Sequence, residues 1–141
     1  MKKKKILFLS MLIVLLMLIS CAPSTKQVLA TNESQVKLRA IQTRAFDTTD
    51  RDKMLRTVIA TLQDLGFIVD KADNVLGAVS ATKLDRYTLR MTVSVRPRGE
   101  TQLLVRANAQ YNITAVEDPE PYQQFFDALS KAIFLTAHQV D

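Results

Sequence analysis

Between residues 87 and 113 apolar and polar positions alternate with few interruptions. Tyr87, Leu89, Met91, Val93 and Val95 are interleaved with Thr88, Arg90, Thr92, Ser94 and Arg96. After Pro97-Arg98-Gly99-Glu100, Leu103, Val105, Ala107, Ala109, Tyr111 and Ile113 alternate with Leu104, Arg106, Asn108, Gln110 and Asn112. Side chains of a strand point to opposite faces with a period of two, so this segment predicts two long strands joined by a turn at 97–100. One face of the hairpin is apolar and the other solvated, as in an antiparallel sheet covered on one side.

Elsewhere the period changes. Met54, Leu55, Val58, Ile59, Leu62 and Leu65 recur at intervals of three and four, which predicts a helix over about 50–65. Thr48 or Thr49 is placed to cap it, acidic residues fill its first turn, and Gly66 follows its last apolar residue as a C′ glycine. Tyr122, Phe125, Phe126, Leu129, Ala132, Ile133 and Thr136 form the stripe of a second helix, with Asp118 as cap and Pro119 in its first position. Val36, Leu38 and Ala40 alternate with Lys37 and Arg39, which predicts a first strand over Gln35–Phe46, broken near Ile41. On that strand Arg39, Gln42 and Arg44 read as polar edge residues that discourage unwanted pairing. Phe67-Ile68-Val69 predicts a short strand and Lys71–Asn74 a turn. Val75–Thr82 predicts another strand, with a bulge or close backbone approach at Gly77.

The resulting order is β-α-β-β-β-β-α. A sheet with one apolar face and two helices with one apolar stripe each bury one another. The expected fold is α+β: a two-layer sandwich with a mostly antiparallel sheet and both helices on one face.

The first residues follow another rule. Four lysines, Lys2–Lys5, precede an apolar run from Ile6 to Ile19, and Ser20 and Cys21 follow. Basic, then apolar, then small is the order of a secretory signal peptide. As a helix the run measures about 21 Å, short of the ~30 Å hydrocarbon core of a bilayer. Leu18-Ile19-Ser20-Cys21 resembles the lipobox of bacterial lipoproteins. The resemblance implies that Cys21 receives a diacylglyceryl group, that cleavage falls before it, and that the new amino terminus is acylated. Two or more acyl chains anchor stably where one does not. Residue 22 is Ala and not Asp, which by the same resemblance implies the outer membrane, with the domain facing the periplasm, over the inner membrane. The expected organisation is a signal peptide at 1–20, a lipidated cysteine and polar tether at 21–34, and one domain at 35–141. A tether of that length reaches at most about 45 Å.

A second resemblance covers most of the domain. Gln42-Thr43-Arg44-Ala45-Phe46-Asp47, Leu62-Gln63-Asp64-Leu65-Gly66-Phe67, Asp73, Leu76-Gly77 and Ser80-Ala81-Thr82-Lys83 are similar to a group of small uncharacterised lipoproteins of Gram-negative bacteria. No activity comes with that resemblance. The succession strand, helix, glycine-punctuated strands, long hairpin, helix is also similar to the helix-grip domains of the lipoprotein in the outer-membrane β-barrel assembly machine. That is a likeness of pattern, and fold does not carry function.

Charge and cysteine content narrow the chemistry. Of 19 Lys and Arg, four are Lys2–Lys5; the other 15 stand against 14 acidic residues. The basic pI near 9.5 therefore belongs largely to the N-terminus, which argues against nucleic acid as a partner. Cys21 is the only cysteine and His138 the only histidine. A Cys/His nucleophilic site or a zinc cluster is not expected from them, and no cofactor is implied. His138 reads as a solvated group near a helix C-terminus. Asp50 with Asp52, Asp70 with Asp73, and Glu117, Asp118 and Glu120 read as caps and turns rather than acid–base pairs. With three glycines there is no phosphate-binding loop.

The outward row of the hairpin carries Arg90, Arg106, Asn108 and Gln110, which face solvent together if the register is as drawn. That row reads either as an ordinary solvated face or as a surface for an acidic partner, peptidoglycan or lipid headgroups. The expectation is a non-catalytic accessory or interaction subunit of a cell-envelope complex. The alternative is a lipid- or glycan-binding envelope lipoprotein with a concave apolar pocket. A hydrolase, third, needs convergent carboxylates in such a pocket.

Overall fold

The computed structural model describes residue 1, residues 34–84 and residues 87–138, of which 136–138 are described as backbone only. Residues 2–33, which hold Cys21, nearly all of the expected signal peptide and nearly all of the expected tether, lie outside the described residues. The chain divides into two units at Ser34/Gln35, and the second, Gln35–Asp141, is the α+β domain.

Three helices and six strands make up the described domain. They are a helical segment α1 (34–41), β1 (Thr43–Phe46), α2 (Arg51–Asp64), β2 (Ile68–Asp73), β3 (Ala78–Leu84), β4 (Thr88–Arg98), β5 (Gln102–Tyr111), β6 (Thr114–Ala115) and α3 (Glu120–His138). The strands form one antiparallel sheet in the order β1-β5-β4-β3-β2, with β6 on the end of β5. This is the expected α+β sandwich.

The inner face of the sheet carries Val79, Ala81, Met91, Val93, Val95, Leu103, Val105, Ala107 and Ala109, all buried. Met54, Leu55, Val58 and Leu62 of α2 pack into the same core, as do Tyr122, Phe125, Phe126 and Leu129 of α3. Each large apolar side chain removed from water contributes about 1.5–3 kcal/mol before entropy is counted. Those from the two helices and the hairpin therefore dominate stability. Ile59, Leu65 and Ile133, expected on the helix stripes, are only partly buried at the margin. Thr57 and Thr61 are buried as well, each hydroxyl donating to the carbonyl one turn back, at 2.8 Å on Lys53 and Thr57.

Local chemistry explains the boundaries. Asp50, not Thr48 or Thr49, is the N-cap of α2: its carboxylate accepts from Lys53 N–H at 2.9 Å. Thr48 Oγ1 accepts in turn from Asp50 N–H at 3.3 Å. At the other end Gly66 takes φ +83°, its N–H donates to Gln63 O, and Phe67 N–H donates to Leu62 O. Those two bonds and the burial of Leu62 and Phe67 make a Schellman motif. Asp118 meets the start of α3 as expected, its carboxylate accepting from Glu120 N–H at 3.0 Å. Pro119 stands one position before the helix, its carbonyl accepting from Gln123 N–H.

Four expectations are corrected. Residues 34–41 are helical and only Thr43–Phe46 is strand. Leu38 and Ile41, three apart, pack against the core while Val36 is 65% exposed, so three alternating residues were too short a sample to separate the two periods. The turn before β3 lies at residues 74–77 rather than 71–74, and β2 runs on to Asp73 with a register shift between Val69 and Lys71. Pro97 and Arg98 continue β4, and the tight turn is 99–101. Tyr111 and Ile113 are 41% and 94% exposed, because the chain leaves the sheet there to form β6. Gly77 is a close approach as expected: a Cβ at its φ of +67° would lie 2.4 Å from the Arg51 guanidinium and 2.7 Å from Val95 O.

Candidate functional site

α2 and α3 cover the inner face, and among the described residues no helix packs on the outer face of the sheet. The hairpin register sets its pattern. Arg90 lies opposite Gln110, Thr92 opposite Asn108, Ser94 opposite Arg106, and Arg96 opposite Leu104. The four residues singled out from the sequence, Arg90, Arg106, Asn108 and Gln110, are thus on one face, and all are exposed. Arg90 and Arg106 are not neighbours. Their rows are four residues apart along β4, about 13 Å at the rise of a strand. Arg106 instead sits diagonally beside Arg96, within reach of a long side chain. Arg98, read from the sequence as a turn residue, extends this basic end.

Between the arginines the surface is hydroxyl and amide. Ser80 and Thr92 hydroxyls bond at 3.1 Å, and at the edge Thr82 donates to Asp70 at 2.6 Å. Among the described residues no carboxylate pairs with Arg90, Arg96, Arg98 or Arg106; Arg44 pairs with Asp127 at 3.1 Å, on the side of the helices. Arg44 stands on β1, an edge strand of the sheet. It lies on the helix side, 5.0 Å over the Phe126 ring. Gln42 is buried, donating to Tyr122 Oη at 3.2 Å, and Arg39 is exposed on α1.

Five of the acidic groups singled out from the sequence have local partners. Asp50 and Asp118 cap helices, Asp70 accepts from Thr82, Asp73 accepts from Leu76 N–H at 2.8 Å, and Glu120 accepts from Gln124 at 3.0 Å. Among the described residues no group of three or more His, Cys, Asp or Glu is placed to hold a metal ion. The His138 side chain lies outside the described residues.

A feature that periodicity did not show is a cavity of about 360 Å³ at one end of the sandwich. Leu65, Phe67 and Leu89 are its apolar lining, Tyr87 and Tyr111 stand beside them, and Lys83, Asp118, Glu120 and Gln124 supply its polar groups. The two tyrosine rings meet edge to face, centroids 6.3 Å apart. Its lining comes from residue 65 to residue 124, so only the folded domain assembles it.

No protein-family model matches this chain, and no curated protein matches it significantly.

Proposed function

We propose that the protein is an exported lipoprotein, cut before Cys21 and anchored through lipid on that cysteine to the periplasmic side of the outer membrane. Its α+β domain serves as a non-catalytic interaction subunit of a cell-envelope complex. The observation that carries the interaction reading is the outer sheet face, where Arg90, Arg96, Arg98 and Arg106 stand among hydroxyl and amide side chains without an acidic partner among the described residues. The inner face is closed by α2 and α3, so a protein partner must read the domain from outside. An acidic surface complements the arginines, and anchoring raises the local concentration of a partner at the same membrane. The anchor itself is supported by the order of Lys2–Lys5, the apolar run and Leu18-Ile19-Ser20-Cys21. Among the described residues no helix is long and apolar enough to cross a membrane.

The test is in-cell crosslinking of the tagged full chain, comparing the native protein with Arg90→Glu/Arg106→Glu. A reproducible envelope complex, lost in the charge-reversed protein while its circular dichroism is unchanged, is the expected result. Recovery of the same complex by both proteins would remove the arginine face from the reading. For the anchor, the mature protein is expected to begin at Cys21 with a mass increased by acyl groups; an intact Met1 without lipid would refute it. A second reading, a lipid- or glycan-binding envelope lipoprotein, is favoured by the cavity at the end of the sheet.

A further inference from the structure

Among its described lining residues, the cavity combines apolar side chains, two exposed aromatic rings and a set of hydrogen-bonding groups. Its volume of about 360 Å³ lies at the small end of ligand sites. Tyr87 is 66% exposed and Tyr111 41%, so ring surface is available without rearrangement. Asp118 spends Oδ1 on the α3 cap and Glu120 spends Oε1 on Gln124 Nε2. The second oxygen of each carboxylate and the amide oxygen of Gln124 remain as acceptors.

Electrostatics select among ligand classes. Lys83 lines the cavity too, but its Nζ is held by Leu65 O, so an anion would meet one engaged cation against the two carboxylates of Asp118 and Glu120. A cation would find the Phe67 ring already served by Lys83, whose Nζ lies 5.9 Å from the ring centroid and donates to Leu65 O at 3.0 Å. A purely apolar ligand would desolvate the carboxylates and amide without replacing their hydrogen bonds, which is costly. What suits both halves is an uncharged polyol with one C–H face and one hydroxyl edge. The C–H face stacks on the ring of Tyr87, the more exposed of the two, with Tyr111 set edge to face beside it, and the hydroxyls donate to Asp118, Glu120 and Gln124.

We propose that this cavity binds an uncharged sugar unit of a glycan. The proposal deepens the glycan-binding reading and does not depend on the arginine face. Tyrosine emission is the natural probe, because the chain has no tryptophan and two of its three tyrosines line the cavity. The full mature chain, in detergent, is titrated with the N-acetylglucosamine tetramer and with cellotetraose, and separately with phosphocholine and tetramethylammonium. A saturable change with a neutral oligosaccharide is expected, weakened about tenfold by Tyr87→Ala, the loss of one ring contact. A similar weakening is expected from Gln124→Ala, and no change from Arg90→Glu/Arg106→Glu. Tyr87 and Gln124 are both exposed, so the variants keep their fold, which circular dichroism checks. No saturable response to either oligosaccharide would overturn the proposal, as would a response to a charged probe equal to or stronger than that to the sugars. Loss of the crosslinked complex with sugar binding intact would separate this site from the arginine face.

Discussion

Tyr122 uses one oxygen to close a gap in the sheet. β1 pairs with Leu103–Arg106 of β5 and β6 with Gln110–Tyr111, so the stretch between them lacks a strand on that side. Ala107 N–H finds Gln42 O, and Ala109 O accepts from Val116 N–H. Ala109 N–H donates to Tyr122 Oη at 3.2 Å, Gln42 Nε2 donates to the same oxygen, and the phenol donates to Val116 O at 2.7 Å. One donor and two lone pairs are all a phenol has, so the group is saturated. Tyr122→Phe keeps the ring and leaves a buried N–H, an amide and a carbonyl each short of a partner. The expected loss is about 1–3 kcal/mol in urea unfolding; a loss below about 0.5 kcal/mol would show that other groups or water take over these bonds. The helical stripe revealed the Tyr122 ring. It held no trace of the hydroxyl's role, because Gln42 is 80 residues away and nothing local connects them.

At the scale of elements, what was legible is what neighbouring residues decide. Gly66 could be assigned because a helix stop needs only the last turn and the next two residues. The hairpin faces could be read because ten alternating positions in a row, residues 87–96, leave one interpretation. Errors arose where two local signals compete. Thr48, Thr49 and Asp50 are all good caps in succession, and the structure uses Thr48 to hold Asp50 and Asp50 to hold the helix. Asp50→Ala is therefore expected to cost about 0.5–2 kcal/mol, and Thr49→Ala less than about 0.5 kcal/mol. Equal losses in urea unfolding would return the cap to the threonines. Likewise Asp73 and Asn74 both favour turns, but Asp73 is the last residue of β2 and its carboxylate stabilises the turn after it by accepting from Leu76 N–H. In α1, Leu38 and Ile41 are drawn to the core by a helix whose alternating neighbours resemble a strand.

For the whole molecule, distance along the chain separates what could be read from what could not. The arginine face belongs to one hairpin, so its four named residues followed from register alone. The cavity joins the α2–β2 junction, the ends of three strands and the start of α3, and no periodicity within one segment points to it. The same distinction applies to how the domain closes. β1 lies against β5, and Arg44 of β1 meets Asp127 of α3 at 3.1 Å, bringing the first strand and the last helix together. That ion pair is conspicuous, yet its side chains are 40% and 65% exposed, and exposed pairs contribute about 0.2–1 kcal/mol. Phe126, beneath the guanidinium, is fully buried and stacked edge to face on Phe125 at 5.1 Å. Aromatic burial, rather than the ion pair, should hold the last helix to the sheet. A double-mutant cycle of Arg44→Ala and Asp127→Ala is expected to give a coupling below about 1 kcal/mol, since the cycle cancels what Arg44 alone loses over the ring. Phe126→Ala is expected to cost about 3–5 kcal/mol. A coupling as large as the Phe126 loss would mean that charge closes the fold, and unfolding would then shift strongly with salt.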